Sequence, residues 1–156
     1  GVRYSQTMPL EEDLDSGQGR SWQSTLSAEN RQQAETKLRH LNYDWQWQDD
    51  GSLSVTTPVL PAVRQLKDGR TVFFNQLIAA FRGWKDVRIS GEKSICFGDG
   101  SAIDSAHMGL AIELADELTF DIPWQSGDVA VLDNFLVMHG RRPFEGKRAV
   151  LASLVA

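Results

Sequence analysis

The chain has 156 residues, which is enough for one domain with a hydrophobic core. Its 16 basic and 21 acidic residues give a net charge of −5, which argues against a nucleic-acid-binding protein. The single cysteine, Cys96, excludes an internal disulfide and fits a reducing compartment, and no apolar run approaches the roughly 18 residues of a membrane-spanning helix. We therefore expect a cytoplasmic protein.

The first part of the chain alternates between strand and helix patterns. Residues 2–6 predict a short strand, which an acidic loop follows. Ser27 is predicted to cap a helix that ends near His40, because its side chain accepts a backbone N–H and apolar residues then recur at helical spacing. Residues 43–57 predict a hairpin, in which the turn sequence DDGS joins two strands.

The second part of the chain predicts more strands and a second helix. The segment DGRTVFFNQL indicates a turn and an apolar strand, and SICF indicates a short strand. Asp104 or Ser105 is predicted to cap a helix, and three strands follow in GDVAVLDN, in the segment that ends at His139 and in KRAVLASLVA. The pattern predicts an α+β fold, mainly β, with an antiparallel sheet or partial barrel and two outer helices.

Of the three histidines, His139 is the candidate functional residue. His40 and His107 fall on predicted helices and are interpreted as structural. His139 ends a predicted strand and shares its face with Phe135 and Val137, directly before a glycine. An imidazole at the lip of an inner sheet face suits metal binding or acid–base chemistry. From the spacing alone, a structural and a functional interpretation both remain open.

Three arginines surround the turn that follows His139. Arg141 comes two residues later, and Arg148 comes nine residues later at the start of the next predicted strand. In a hairpin, the Arg148 guanidinium approaches the His139 end of the sheet, where it would form a fork-shaped receptor for a carboxylate. The alternative is that all three are solvated turn residues, which we prefer for Arg142. The combination indicates a site that binds an organic acid at a metal.

The stretch WQSGDVAVLDNFLVMHGRRPFEGKR resembles the C-terminal signature of the taurine dioxygenase-like (TauD/TfdA) branch of the iron(II)/2-oxoglutarate-dependent oxygenases. The segments GDGSAID, GRTVFFNQ and GVRY are also similar to this branch. Within it, the chain resembles the SyrP-like proteins of nonribosomal peptide pathways, which hydroxylate amino-acid residues. The His-Gly-Arg…Gly-x-Arg portion is the specific part of the resemblance.

The resemblance implies a role for each matching residue. His139 corresponds to the distal histidine of a 2-His-1-carboxylate iron site, and Arg148 to the arginine that binds the far carboxylate of 2-oxoglutarate. Arg141 would assist that arginine or hold the turn, and Asn75 would face the substrate. The implied cofactors are Fe(II) and 2-oxoglutarate. The implied fold is a partial double-stranded β-helix (jelly-roll, clavaminate synthase-like) with two flanking helices.

The chain departs from the family in one respect. The first two iron ligands of the family come from a His-x-Asp or His-x-Glu motif, whereas His40, His107 and His139 are followed by Leu-Asn, Met-Gly and Gly-Arg. The resemblance therefore covers the C-terminal half of a longer enzyme, as one domain over residues 1–156. We expect the chain alone to be a poor catalyst and to bind neither cofactor well. The alternative is a non-catalytic carboxylate- or protein-binding module derived from this fold.

The expected partners follow from the same resemblance. The substrate would be a small-molecule or carrier-tethered amino acid, with no nucleic acid and no membrane involved. A half-barrel leaves sheet edges uncovered, and such edges pair with other chains. We therefore expect a homo-oligomer or a complex with the missing N-terminal half.

Overall fold

The computed structural model describes residues 1–12, 20–83, 94–142, 145–146 and 149–153. Six strands and four helices lie within these residues. In chain order they are β1 (Val2–Met8), α1 (Trp22–Leu26), α2 (Arg31–His40), β2 (Asp44–Trp47), β3 (Leu53–Thr56), β4 (Arg64–Gln65), β5 (Thr71–Val72), α3 (Leu77–Gly83), β6 (Ile95–Phe97) and α4 (Ser105–Leu118). In the described part of the chain, no helix is both long and apolar enough to cross a membrane.

Four of the strands form one antiparallel sheet in the order β2-β3-β1-β6, and β4 and β5 form a separate hairpin. The predicted hairpin over residues 43–57 is confirmed as β2 and β3. Its turn forms because Gly51 adopts a φ of 81°, a conformation that glycine takes without strain, and because the Asp50 carboxylate accepts a bond from the Ser52 N–H at 2.9 Å.

The two faces of the sheet differ in polarity because side chains alternate along each strand. On β1, Val2, Tyr4 and Met8 point to one face and are buried. The opposite face carries hydroxyl pairs between β1 and β3, with Ser5 Oγ 2.8 Å from Thr56 Oγ1 and an equivalent pair formed by Thr7 and Ser54. The apolar face is therefore the one that the helices cover.

Two separate clusters of buried side chains cover the apolar face. At the β2–β3 end, α1 and α2 contribute Trp22 and the fully buried Leu38, which pack with Leu53 of β3. At the β6 end, α3 and α4 contribute Leu77 and Met108, together with other residues that pack on Val2, Tyr4 and Ile95. Between the two clusters, the middle of the apolar face is open and forms a cleft that is lined partly by loop residues.

The single helix predicted from Ser27 to His40 is wrong at its beginning. A separate helix, α1, ends just before Ser27, and α2 begins only at Arg31. The N-cap of α2 is Asn30, whose side chain accepts a bond from the Gln33 N–H at 3.0 Å. Ser27 instead lies in the left-handed region at the C-terminal end of α1, where the Lys37 ammonium donates to the Ser27 carbonyl at 2.6 Å. A serine thus ends one helix and an asparagine starts the next.

The predictions between residues 64 and 118 have mixed outcomes. The apolar strand predicted after the Asp68–Arg70 turn is only the two-residue β5, because the chain leaves the hairpin and enters the unpredicted helix α3. The short strand in SICF is confirmed as β6. The second helix is confirmed as α4, and its N-cap is Asp104, whose carboxylate accepts a bond from the Ala106 N–H at 2.7 Å.

The three strands predicted after α4 are wrong for the residues that the structure describes there, 119–142, 145–146 and 149–153, which contain no strand. Val129, Val131 and Leu151 are 88%, 92% and 98% exposed. A strand forms only against a partner backbone, and the described sheet gives this segment none. A mixed architecture of helices and an antiparallel sheet is confirmed, with four helices described where two were predicted. The described residues contain more helix than strand, so the expectation of a mainly β fold is not confirmed for them, and the double-stranded β-helix remains a prediction.

Candidate functional site

A cleft of about 530 Å³ opens on the apolar face of the sheet, between the two buried clusters. We call it the central cleft. Strands β1 and β3 form its floor, and the chain from residue 57 to residue 76 forms its wall. Its lining residues are Tyr4, Gln6, Tyr43, Val55, Thr57, Leu60, Pro61, Arg64, Phe74, Asn75 and Gln76. Its volume falls in the range of small-molecule sites, which are concave and mostly apolar with a few polar groups.

Tyr4 joins the floor of the central cleft to its wall. The phenol oxygen accepts a hydrogen bond from the Gln76 N–H at 3.1 Å, so it ties β1 to the residue just before α3. Burial raises the pKa of Tyr4 above its ordinary value of 10.0, an effect that the bond from Gln76 partly offsets. At neutral pH the floor therefore carries an uncharged phenol.

Asn75 was predicted to face the substrate, and the structure places it in the wall of the central cleft. Its Nδ2 donates to the Ala62 carbonyl at 2.8 Å, and its Oδ1 accepts from the Leu77 N–H at 2.9 Å. Both ends of the amide therefore hold the wall to the start of α3. The substrate-facing role of Asn75 remains a prediction.

Arg64 is a cleft residue that sequence reasoning missed. Its guanidinium carbon lies 5.0 Å from the Phe74 ring centroid and 5.3 Å from the Phe135 ring centroid, and the two rings stack at 5.3 Å. The register pairs Arg64 with Val72, and Phe74 is two residues further along. The Asp-Gly turn between β4 and β5 is the signal that brings Arg64 and Phe74 together.

Phe135 links the segment that contains His139 to the central cleft. Asp133 fixes a turn before it, since its carboxylate accepts a bond from the Phe135 N–H at 2.9 Å. His139 is four residues further on, so its Cα lies no more than about 14 Å from that of Phe135. The predicted facing of Phe135, Val137 and His139 into a sheet interior is wrong, because the three side chains are exposed and no strand forms there.

The predicted pairing of His139 with two arginines is only partly within the described residues. Arg141 is exposed, and Arg148 lies outside the part of the chain that the structure describes. The convergence of His139 and Arg148 on one cavity therefore remains a prediction. Arg142 is exposed and donates to Asp121 at 2.8 Å, and this pairing raises the pKa of Arg142.

The described residues do not contain a complete metal site. No group of three or more His, Cys, Asp or Glu side chains among them is placed to hold a metal ion. His139 makes no hydrogen bond or ion pair with any described residue. If His139 binds iron, the other protein ligands come from outside these residues, since a facial site needs two histidines and a carboxylate.

The family of the chain follows from comparison with known proteins. Residues 19–154 match the family described as "Taurine catabolism dioxygenase TauD, TfdA family". The matched range includes the wall of the central cleft and the segment around His139, and it also includes Arg148. The chain belongs to the TauD/TfdA family, as its resemblance predicted.

Two relatives align with nearly all of the chain. A clavaminate synthase-like protein from Arabidopsis thaliana, At3g21360, is 34% identical over 155 residues, which cover 99% of this chain and 47% of that protein. The dapdiamide synthesis protein DdaC from Enterobacter agglomerans is 29% identical over 166 residues, which cover 99% of this chain and 49% of that protein. The chain thus spans about half the length of the curated relatives that it matches.

Proposed function

We propose that this chain is part of an Fe(II)/2-oxoglutarate-dependent dioxygenase of the TauD/TfdA type that hydroxylates its substrate. The observation that carries the proposal is the family match over residues 19–154, since members of this family generally use Fe(II) and 2-oxoglutarate. One relative is named a clavaminate synthase-like protein and the other a dapdiamide synthesis protein. We extend the proposal to a small-molecule or carrier-tethered amino-acid substrate.

Three residues of this chain would serve the proposed reaction. His139 would be one iron ligand, Arg148 would bind the distal carboxylate of 2-oxoglutarate, and Arg141 would assist it. The described residues do not fit a complete iron site, because they offer no group of three metal-binding side chains. Because no histidine of the chain begins a His-x-Asp or His-x-Glu motif, we propose that polypeptide outside these 156 residues supplies the other ligands and completes a double-stranded β-helix.

A chimera tests the proposal directly. The part of the Arabidopsis relative that this chain does not match would be joined to the chain, and succinate formation from 2-oxoglutarate would be measured with Fe(II) and oxygen. We expect succinate from the chimera and little from the chain alone. His139→Ala should remove at least about 90% of the activity, because it deletes a metal ligand, whereas the control His107→Ala on α4 should retain it.

Two outcomes of this experiment would contradict the proposal. A folded chimera whose succinate formation survives His139→Ala would show that this histidine is not a ligand. Robust succinate formation by the isolated chain would show that the chain holds a complete site of its own. Circular dichroism of every variant separates loss of activity from loss of fold.

The second candidate function is a non-catalytic carboxylate- or protein-binding module, which the arginines Arg141 and Arg148 support, because a guanidinium fork binds a carboxylate without a metal. Thermal unfolding of the chain with 2-oxoglutarate distinguishes the two candidates, because a ligand that binds only the folded state raises the melting temperature. Stabilisation that requires Fe(II) supports the dioxygenase. Stabilisation that persists in EDTA, is lost in Arg148→Ala and is kept in Arg142→Ala supports the module.

A further inference from the structure

We propose that the central cleft is a receptor for a small organic carboxylate and that Arg64 is its anion-binding residue. The residue that carries this proposal, Arg64, is a different one from the predicted 2-oxoglutarate residue, Arg148, which lies outside the described residues. The inference concerns binding alone, so it holds whether or not the dioxygenase proposal does.

The first support is the state of the Arg64 side chain. Five other arginines, Arg3, Arg39, Arg70, Arg82 and Arg142, each form an ion pair with an Asp or Glu side chain. Arg64 has no such partner among the described residues, and its contacts there are with the rings of Phe74 and Phe135. A guanidinium has five N–H donors in a planar fork, so this one retains donors for a ligand.

The second support is that the two aromatic rings hold Arg64 in place. The guanidinium lies about 5 Å from both centroids, at a distance where ring faces attract a cation. Arg64 and Phe135 are both exposed, so the rings orient the charge and leave it open to a ligand. A flexible surface arginine loses more side-chain entropy on binding than one that is already held.

The third support is the chemistry of the remaining wall. Every other described lining residue is neutral, so among them no carboxylate repels an anion or competes for Arg64. The side-chain amides of Gln6 and Gln76 make no hydrogen bond with the described residues and can donate to a ligand. Val55, Leu60 and Pro61 provide an apolar surface for the ligand body.

The charge balance favours a carboxylate over a phosphate. The described part of the lining has one cation, Arg64, which matches the single charge of a carboxylate. A phosphate monoester carries nearly two charges at neutral pH, and one of them would be left without a partner in a mostly apolar cleft. The structure thus points to an organic acid whose apolar body fits within about 530 Å³.

The test compares matched carboxylates and amides in metal-free buffer that contains EDTA. The probes are acetate, phenylacetate, N-acetyl-leucine and glutarate, each against its amide, with binding measured by titration NMR of the full chain. We expect at least one carboxylate to bind about tenfold or more tightly than its amide, because charge-assisted hydrogen bonds to arginine are lost in the amide.

Variants of two arginines then locate the binding. Arg64→Gln should weaken binding of that carboxylate about tenfold or more, and Arg64→Lys should restore part of it, because the charge returns without the fork. Arg70→Gln is the matched control, since it removes the same charge from the same hairpin. In the wild type, the Arg70 guanidinium is already paired with Asp68. Equal binding of every acid and its amide, or binding that survives Arg64→Gln, would overturn the proposal.

Discussion

At the scale of single residues, the central cleft depends on contacts between positions that are far apart in sequence. Tyr4 and Gln76 are 72 residues apart, and Asn75 bonds to Ala62 across 13 residues. Sequence reasoning reached Asn75 through a resemblance and did not reach Tyr4 or Arg64. Whether an arginine is available to a ligand depends on whether a carboxylate lies beside it. That distance cannot be read from the amino-acid sequence.

Tyr4 makes one of these contacts testable through pH. Its folded-state pKa is raised above 10.0 by burial, so its contribution to stability is fully present below about pH 10 and is lost as pH rises through the folded pKa. We expect the free energy of unfolding to fall more steeply above pH 10 in the wild type than in Tyr4→Phe. Urea unfolding between about pH 8 and pH 11 measures this difference, and parallel pH profiles would contradict it.

At the scale of elements, local signals predicted several features and missed others. The turn at Gly51 and the cap at Asp104 were predictable, because each depends on side chains within a few residues. The helix boundary was placed wrongly at Ser27, since Ser27 and Asn30 are both good capping residues and only the backbone path distinguishes them. Strand pairing beyond α4 was not predictable locally, because a strand needs a partner elsewhere in the chain.

The cap of α2 gives a prediction at this scale. Asn30→Ala should lower the free energy of unfolding by about 1 kcal/mol, because it removes the acceptor of the Gln33 N–H. Ser27→Gly should change it by less than about 0.5 kcal/mol, because glycine tolerates the positive φ there but costs backbone entropy. Urea unfolding at one pH measures both variants. A larger loss of unfolding free energy in Ser27→Gly than in Asn30→Ala would indicate that Ser27 and not Asn30 is the N-cap of α2.

At the scale of the whole molecule, one sheet with two buried clusters leaves the end of the chain with little cover. After α4, Phe120, Val129 and Val131 are 82%, 88% and 92% exposed. Phe135 stacks on Phe74, and Arg142 pairs with Asp121. Such a concentration of exposed apolar side chains is typical of interaction surfaces, and self-association of this chain remains a prediction. The alternating apolar pattern of this segment predicted strands. None forms among its described residues, because the described sheet offers them no partner strand.

We therefore expect the isolated chain to self-associate through the segment 128–132. Light scattering should give a mass that rises with concentration above that of one chain, 17.4 kDa. Val131→Asp should shift this mass back toward one chain, because an aspartate at a buried contact is costly to desolvate. It should leave the free energy of unfolding of the monomer within about 0.5 kcal/mol, because Val131 touches little of its own chain.

The control is Val63→Asp, which places the same charge at a half-exposed valine outside the segment. It should leave the mass unchanged, since only a contact surface is sensitive to the added charge. A monomeric mass at every concentration would contradict self-association. If the oligomer instead resists Val131→Asp and dissociates in Val63→Asp, the contact lies at the wall of the central cleft. A second copy would then compete with a carboxylate for the opening of the cleft.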